Sequence, residues 1–140
     1  MRTFITDELR FEIPDEFRDR SLNMLATPEG KQPRISLTVS REARTEAPFA
    51  EQADLTLKEE ARKFAAMKIV GRRARTAGGL EAFEARIEAS ANRQATYSRQ
   101  VMVGYYGTLL TFTWSSLRAA REQCDRAADT MLDAITFRKR

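Results

Sequence analysis

Along the first quarter of the chain, apolar residues recur at every second position. Leu9, Phe11 and Ile13 alternate with Arg10 and Glu12, the period of a half-buried strand. Pro14, which has no N–H to give a ladder, ends it. A second short strand is expected over Leu22–Leu25, with Leu22 and Met24 on one face and Asn23 and Leu25 on the other. Apolar residues stand on both faces, so either this strand is buried on two sides or one face is kept for a partner. After a turn-rich loop, Thr27–Pro33, the run Arg34–Arg41 puts Ile35, Leu37 and Val39 on one face and Ser36, Thr38 and Ser40 on the other. The period then lengthens. Pro48 suits a first helical turn, and Phe49, Ala53, Leu57, Ala61 and Phe64 form the buried stripe of a helix whose Lys58, Glu59, Arg62 and Lys63 are solvated.

Alternation returns over four further strands. They are Lys68–Arg75, a segment with Phe83, Ala85, Ile87 and Ala89 set against Glu84, Arg86 and Glu88, the run Gln94–Val103, and a strand carrying Leu110, Phe112 and Trp114. Turns are expected at Gly78-Gly79, at Ala91–Arg93 and at Gly104–Gly107. Ser115 or Ser116 is expected to cap a last helix with the stripe Leu117, Ala120, Cys124, Ala127, Met131 and Ile135. Strands joined by short turns pair antiparallel. The order predicts a single domain over residues 1–140, an α+β fold in which an antiparallel sheet packs with two main helices.

A chain of 140 residues is long enough for a core without covalent staples. Its net charge of +4 comes from bases mostly interleaved with acids. Two basic clusters, Arg72-Arg73-Ala-Arg75 and Arg138-Lys139-Arg140, read as a solvated strand face and a loose tail. Nucleic-acid binding would ask for a coherent basic stripe with stacking aromatics, and none is expected here. The longest uncharged run, Gln100 to Leu117, holds Gly104 and Gly107 and fits a hairpin better than a membrane span. The single Cys124 excludes an internal disulfide, and the acidic start lacks a signal-peptide pattern, so a cytoplasmic location is expected.

Catalytic chemistry is poorly supplied. With no histidine, the commonest general base and metal ligand is absent, and Ser-His-Asp or Cys-His arrangements are excluded. Cys124 sits on an apolar helix stripe, where a thiol is inert. The adjacent acids Asp15/Glu16 and Glu59/Glu60 point apart on any regular element and make no dyad. No catalytic residue, metal or cofactor is expected.

The order of elements and several strings resemble the DcrB-related family with the PsbP/Mog1-like fold, and within it the Eag-type chaperones of bacterial type VI secretion. The strings are Phe11–Asp15, Ser21–Met24, Ser40–Ala43, Ala47–Ala50, Arg99–Val101 and Met131–Ile135, running nearly end to end. The resemblance implies a non-catalytic homodimeric adaptor. It would hold the hydrophobic N-terminal transmembrane helices of an effector that carries a PAAR domain, keep it soluble and allow loading onto the VgrG spike. It implies an effector-binding groove at Leu22, Met24, Thr38, Thr56, Phe64, Gln100 and Met102. Thr38 stands where the family can have a larger β-branched residue, and Thr56 where it can have glutamine. Strand parity agrees with such a face: if Ile35, Leu37, Val39, Tyr97, Val101 and Val103 face the helices, the hydroxyls, Gln100 and Met102 face away. Transmembrane helices pack through small residues and interhelical hydrogen bonds, which suits a mixed face of this kind. From the residues alone, Leu22 and Met24 fit plain core better than groove, and the resemblance reverses that order. Two other readings stay open: a DcrB-like domain binding a small ligand or scaffold outside secretion, and an enzyme using carboxylates or a tyrosine.

Overall fold

The computed structural model describes residues 1–17, 21–63 and 66–139. The elements are β1 (Arg2–Ile5), β2 (Arg10–Ile13), β3 (Asn23–Ala26), β4 (Ser36–Ala43), α1 (Phe49–Lys63), β5 (Lys68–Ala77), β6 (Leu80–Ala91), β7 (Gln94–Tyr105), β8 (Thr108–Leu117) and α2 (Arg121–Ala134). Six strands form one sheet in the order β3-β4-β8-β7-β6-β5, and β1 pairs with β2 in a separate hairpin. Every pairing is antiparallel. The meander β5 to β8 follows from its turns: Gly78-Gly79 and Asn92-Arg93 both take positive φ, the backbone that tight hairpins require.

The two helices lie on opposite faces, giving three layers. On one face α2 buries Cys124, Ala128 and Leu132 against Tyr97, Val101, Val103, Phe112 and Trp114. On the other α1 buries Phe49, Ala53 and Leu57 against Ala85, Ile87, Met102 and Leu109. α1 seats closely because β7 offers Gly104 there: a Cβ at that position would stand 3.2 Å from the Phe49 ring.

Three expectations are corrected. The last helix does not start from a Ser115 or Ser116 cap. Both serines continue β8, Ser115 opposite Ser36 and Ser116 opposite Tyr97, and α2 begins at Arg121 after a 3-10 turn at Arg118–Ala120. Its buried positions are consequently Cys124, Ala128 and Leu132, while Leu117 and Met131 are exposed. β1 was not signalled by the hydrophobic pattern. Most consequentially, Met102 does not look away from the helices: α1 occupies its face of the sheet and buries it to 1% exposure.

Candidate functional site

α1 covers only part of its face. Its first turn is fixed to the end of β4 through Gln52, whose Oε1 accepts from Thr45 N at 3.2 Å and whose Nε2 donates to the Ala43 carbonyl at 3.1 Å. Beyond Met102 of β7 and Leu109 of β8, its core contacts run toward β6 and β5, through Ile87, Met67 and Ile69. The same face of β3 and β4, and of β8 beyond Leu109, carries no helix. Register makes a continuous row across it: Met24 opposite Thr38, Thr38 opposite Thr113, Thr113 opposite Gln100. A parallel row of hydroxyls joins Ser36, Ser115 and Ser98. Three strand spacings separate Met24 from Gln100, about 14 Å. One α-helix with its side chains is ~10–12 Å across, so the trough has the width of one helix.

The wall of the trough is a stripe of α1. Gln52, Thr56 and Glu60 recur at i, i+4 and so share one helix face. Gln100 Nε2 donates to Glu60 Oε2 at 3.0 Å, which ties sheet to helix. Gln100 is only 4% exposed, and its Oε1 has no hydrogen-bond partner among the described residues. A buried acceptor without a donor costs roughly 1–3 kcal/mol, so a donor arriving from outside would recover that loss. Beside Gln100 a cavity of about 430 Å³ opens between the end of α1 and the sheet, lined by Glu60, Lys63, Met67, Ile87, Ser98 and Thr113 among others.

The residues expected at a groove therefore separate. Met24, Thr38 and Gln100 meet in one row, and half-buried Thr56 lies on the stripe that faces it. Leu22 is exposed just before β3, at the outer end. Met102 belongs to the α1 core. Phe64 lies outside the described residues. Glu60 and Thr113 were missed by sequence reasoning. Glu60 entered only as half of an adjacent acid pair that makes no dyad, although its spacing from Thr56 places it on the same stripe.

The opposite face carries the densest charge cluster. Glu84, 2% exposed, accepts at Oε1 from Arg99 Nε at 2.7 Å and from Arg75 Nη1 at 2.9 Å, and at Oε2 from Arg73 Nε at 2.7 Å. Burial opposes its ionisation, but the Arg99 hydrogen bond and charge, with Arg73 and Arg75, outweigh it and hold the carboxyl below the ordinary range. Arg99 is itself buried and also meets Asp129 at 2.7 Å. Tyr97 donates to Asp125 at 2.7 Å, and burial together with that acceptor pushes its phenol far up, keeping it protonated. Burial raises the Cys124 thiol as well. Each of these groups is held in its unreactive form, so the cluster reads as a structural link between sheet and α2. Among the described residues, no group of three or more His, Cys, Asp or Glu side chains is placed to hold a metal ion. None of their helices is long and apolar enough to cross a membrane.

Sheet order and helix placement define an α+β sandwich of the PsbP kind. The cyanobacterial PsbP of Synechocystis superposes with a TM-score of 0.53 at 11% identity, over 95% of this chain and 89% of that one. The chain belongs to the DcrB family, whose model matches residues 8–134. PA94 of Pseudomonas aeruginosa, a protein of unknown function, is similar in fold over 100% of this chain and 99% of its own, with a TM-score of 0.82 and 22% identity. TplEi, an immunity protein of the type VI secretion system of Pseudomonas aeruginosa, matches over 75% of this chain but 39% of its own, with a TM-score of 0.50 and 20% identity. No curated protein matches the sequence.

Proposed function

We propose that this protein is a non-catalytic adaptor of the Eag chaperone type. It works in the cytoplasm as a homodimer and holds the hydrophobic N-terminal helices of a PAAR-containing type VI secretion effector until loading on the spike. The observation that carries the reading is the open row Met24–Thr38–Thr113–Gln100, one helix wide, ending at a buried acceptor that lacks a donor among the described residues. An apolar helix laid along the row would meet a methionine, which adapts its shape, then hydroxyls and an amide. Each client leucine removed from water there contributes on the order of 1.5–3 kcal/mol. The likeness in fold to a type VI immunity protein is consistent with that setting.

The test is co-expression with the N-terminal fragment of an effector encoded beside this chain. The wild type is expected to hold the fragment in solution and co-purify with it. Leu22→Asp combined with Met24→Asp is expected to abolish capture while the far-UV spectrum stays unchanged. A folded double variant that still captures the fragment would remove the groove from the reading. The cavity of about 430 Å³ supports a second reading, a DcrB-like domain that binds a small ligand or a scaffold unrelated to secretion. That reading expects a small molecule in native mass spectra and no capture of apolar helices.

A further inference from the structure

We infer that a second cavity, at the far end of the α2 face, is a binding site for a phosphate group. It has a volume of about 420 Å³ and is lined by Arg41, Tyr105, Thr108, Leu110, Arg138 and Lys139. Arg41 stands opposite Leu110 in the β4–β8 register, and Thr108 opposite Tyr105 in β7–β8. They share the face that carries α2, with Val39 and Phe112, so this site is separate from the helix trough.

Of the tail expected to be loose, Arg138 and Lys139 are instead brought to the body, and Arg140 lies outside the described residues. Ile135 and Phe137 pack on the α2 core. The Phe137 ring lies 5.8 Å from that of Tyr105, and the Tyr105 hydroxyl donates to the Arg138 carbonyl. Gly78 makes room for this path, since a Cβ there would come within 2.7 Å of the Phe137 ring. The tail thus brings Arg138 and Lys139 to Arg41, which is distant in sequence. Arg41 donates to the Ser21 carbonyl at 3.3 Å.

Charge pairing sets these three cations apart. The other arginines on this face, Arg73, Arg75, Arg86 and Arg99, all lie against Glu84, Asp125 or Asp129. Arg41, Arg138 and Lys139 make no ion pair among the described residues, and no carboxylate lines the cavity. Two guanidinium groups, an ammonium and the Thr108 hydroxyl offer more donors than one carboxylate accepts, and they match the oxygens of a phosphate. The cavity exceeds the size of the bare ion, and the Tyr105 ring and Leu110 provide apolar wall for an attached organic group. The chemistry is therefore that of a phosphate, whether free or in a lipid headgroup.

Two arms separate the sources at low ionic strength. In one, inorganic phosphate is titrated while the amide resonances of Thr108 and Lys139 are followed. In the other, vesicles of phosphatidylglycerol mixed with phosphatidylcholine are compared in flotation with phosphatidylcholine alone. Saturable binding is expected in at least one arm, and Arg41→Gln with Lys139→Gln is expected to weaken it at least tenfold. Lys31→Gln with Lys68→Gln, which removes the same charge elsewhere, is expected to leave it within twofold. Response to phosphate only assigns the free ion, and response to anionic vesicles assigns the headgroup. No saturable binding in either arm, or equal loss in both double variants, would overturn the site.

Discussion

The two faces of the sheet are built from the same strands by opposite rules. Beneath α2 the sheet face is closed, and the Arg41 cavity opens only beyond it, at the far end. Trp114 is buried and stacks on Phe112 at 5.9 Å, and Glu84 and Arg99 are sealed with their partners in place. On the α1 face the helix closes the β5–β7 side and Leu109 of β8, and leaves hydroxyls and a methionine in the open beside a buried amide oxygen that has no donor among the described residues. The part of the sheet under α2 holds the fold, while the open part of the α1 face is the surface on which the proposed partner would lie. Substitutions on the first should therefore register as stability, and on the second as binding.

The largest expected effect tests the closed face. Trp114→Ala removes a buried aromatic side chain and should cost about 3–5 kcal/mol in urea denaturation, enough to leave a marginal fold. Arg99→Ala leaves Glu84 with two of its three arginines in a buried setting and should cost on the order of 3 kcal/mol. A loss below about 0.5 kcal/mol, the range of ordinary surface substitutions, would mean that the cluster does not hold the sheet to α2.

Acid supplies a subtler probe of the same cluster. The folded pKa of Glu84 lies below its unfolded value of 4.5, so within that window the unfolded chain binds more protons than the native one. The stability this carboxylate contributes is present above pH 4.5 and is lost as pH falls through the folded pKa. Glu84→Gln should flatten the acid limb of a stability profile measured from pH 6 downward. An unchanged limb would place the acid sensitivity elsewhere.

On the open face the order reverses. Met24→Asp, at a residue 71% exposed, should change stability by less than about 0.5 kcal/mol yet weaken capture of an apolar helix by tenfold or more. Gln100→Leu is the smallest and sharpest contrast. It removes the buried Oε1 that has no donor among the described residues but also the hydrogen bond from Nε2 to Glu60, so the two effects offset and stability should move by less than about 1 kcal/mol, while helix capture falls. If Gln100→Leu destabilises as Arg99→Ala does, the two faces are not built by different rules.

Much of this was legible in the chain because it is local. The helix stripe Phe49–Ala53–Leu57, the meander after Gly78-Gly79 and the parity of Ile35, Leu37 and Val39 all depend on neighbours a few residues apart, and the structure has them as read. Ser115 and Ser116 misled because a hydroxyl before an apolar stripe is a good helix cap in isolation, whereas ladder partners on both sides of Ser115, and on the β7 side of Ser116, keep them in β8. Met102 misled because parity tells which strand residues share a face but not which face a helix will choose.

The sequence alone determined the alternation, the turns, the poverty of catalytic groups and the resemblance that named Met24, Thr38, Thr56 and Gln100. Only the tertiary structure decided that α1 and α2 take opposite faces and that Met102 is core. It also decided that Glu84 is sealed among arginines, and that Arg138 and Lys139 fold back to Arg41. The physical reason is one of range. Side-chain period is fixed by bonds along the chain, while burial and charge pairing depend on groups that meet only when distant strands and helices pack.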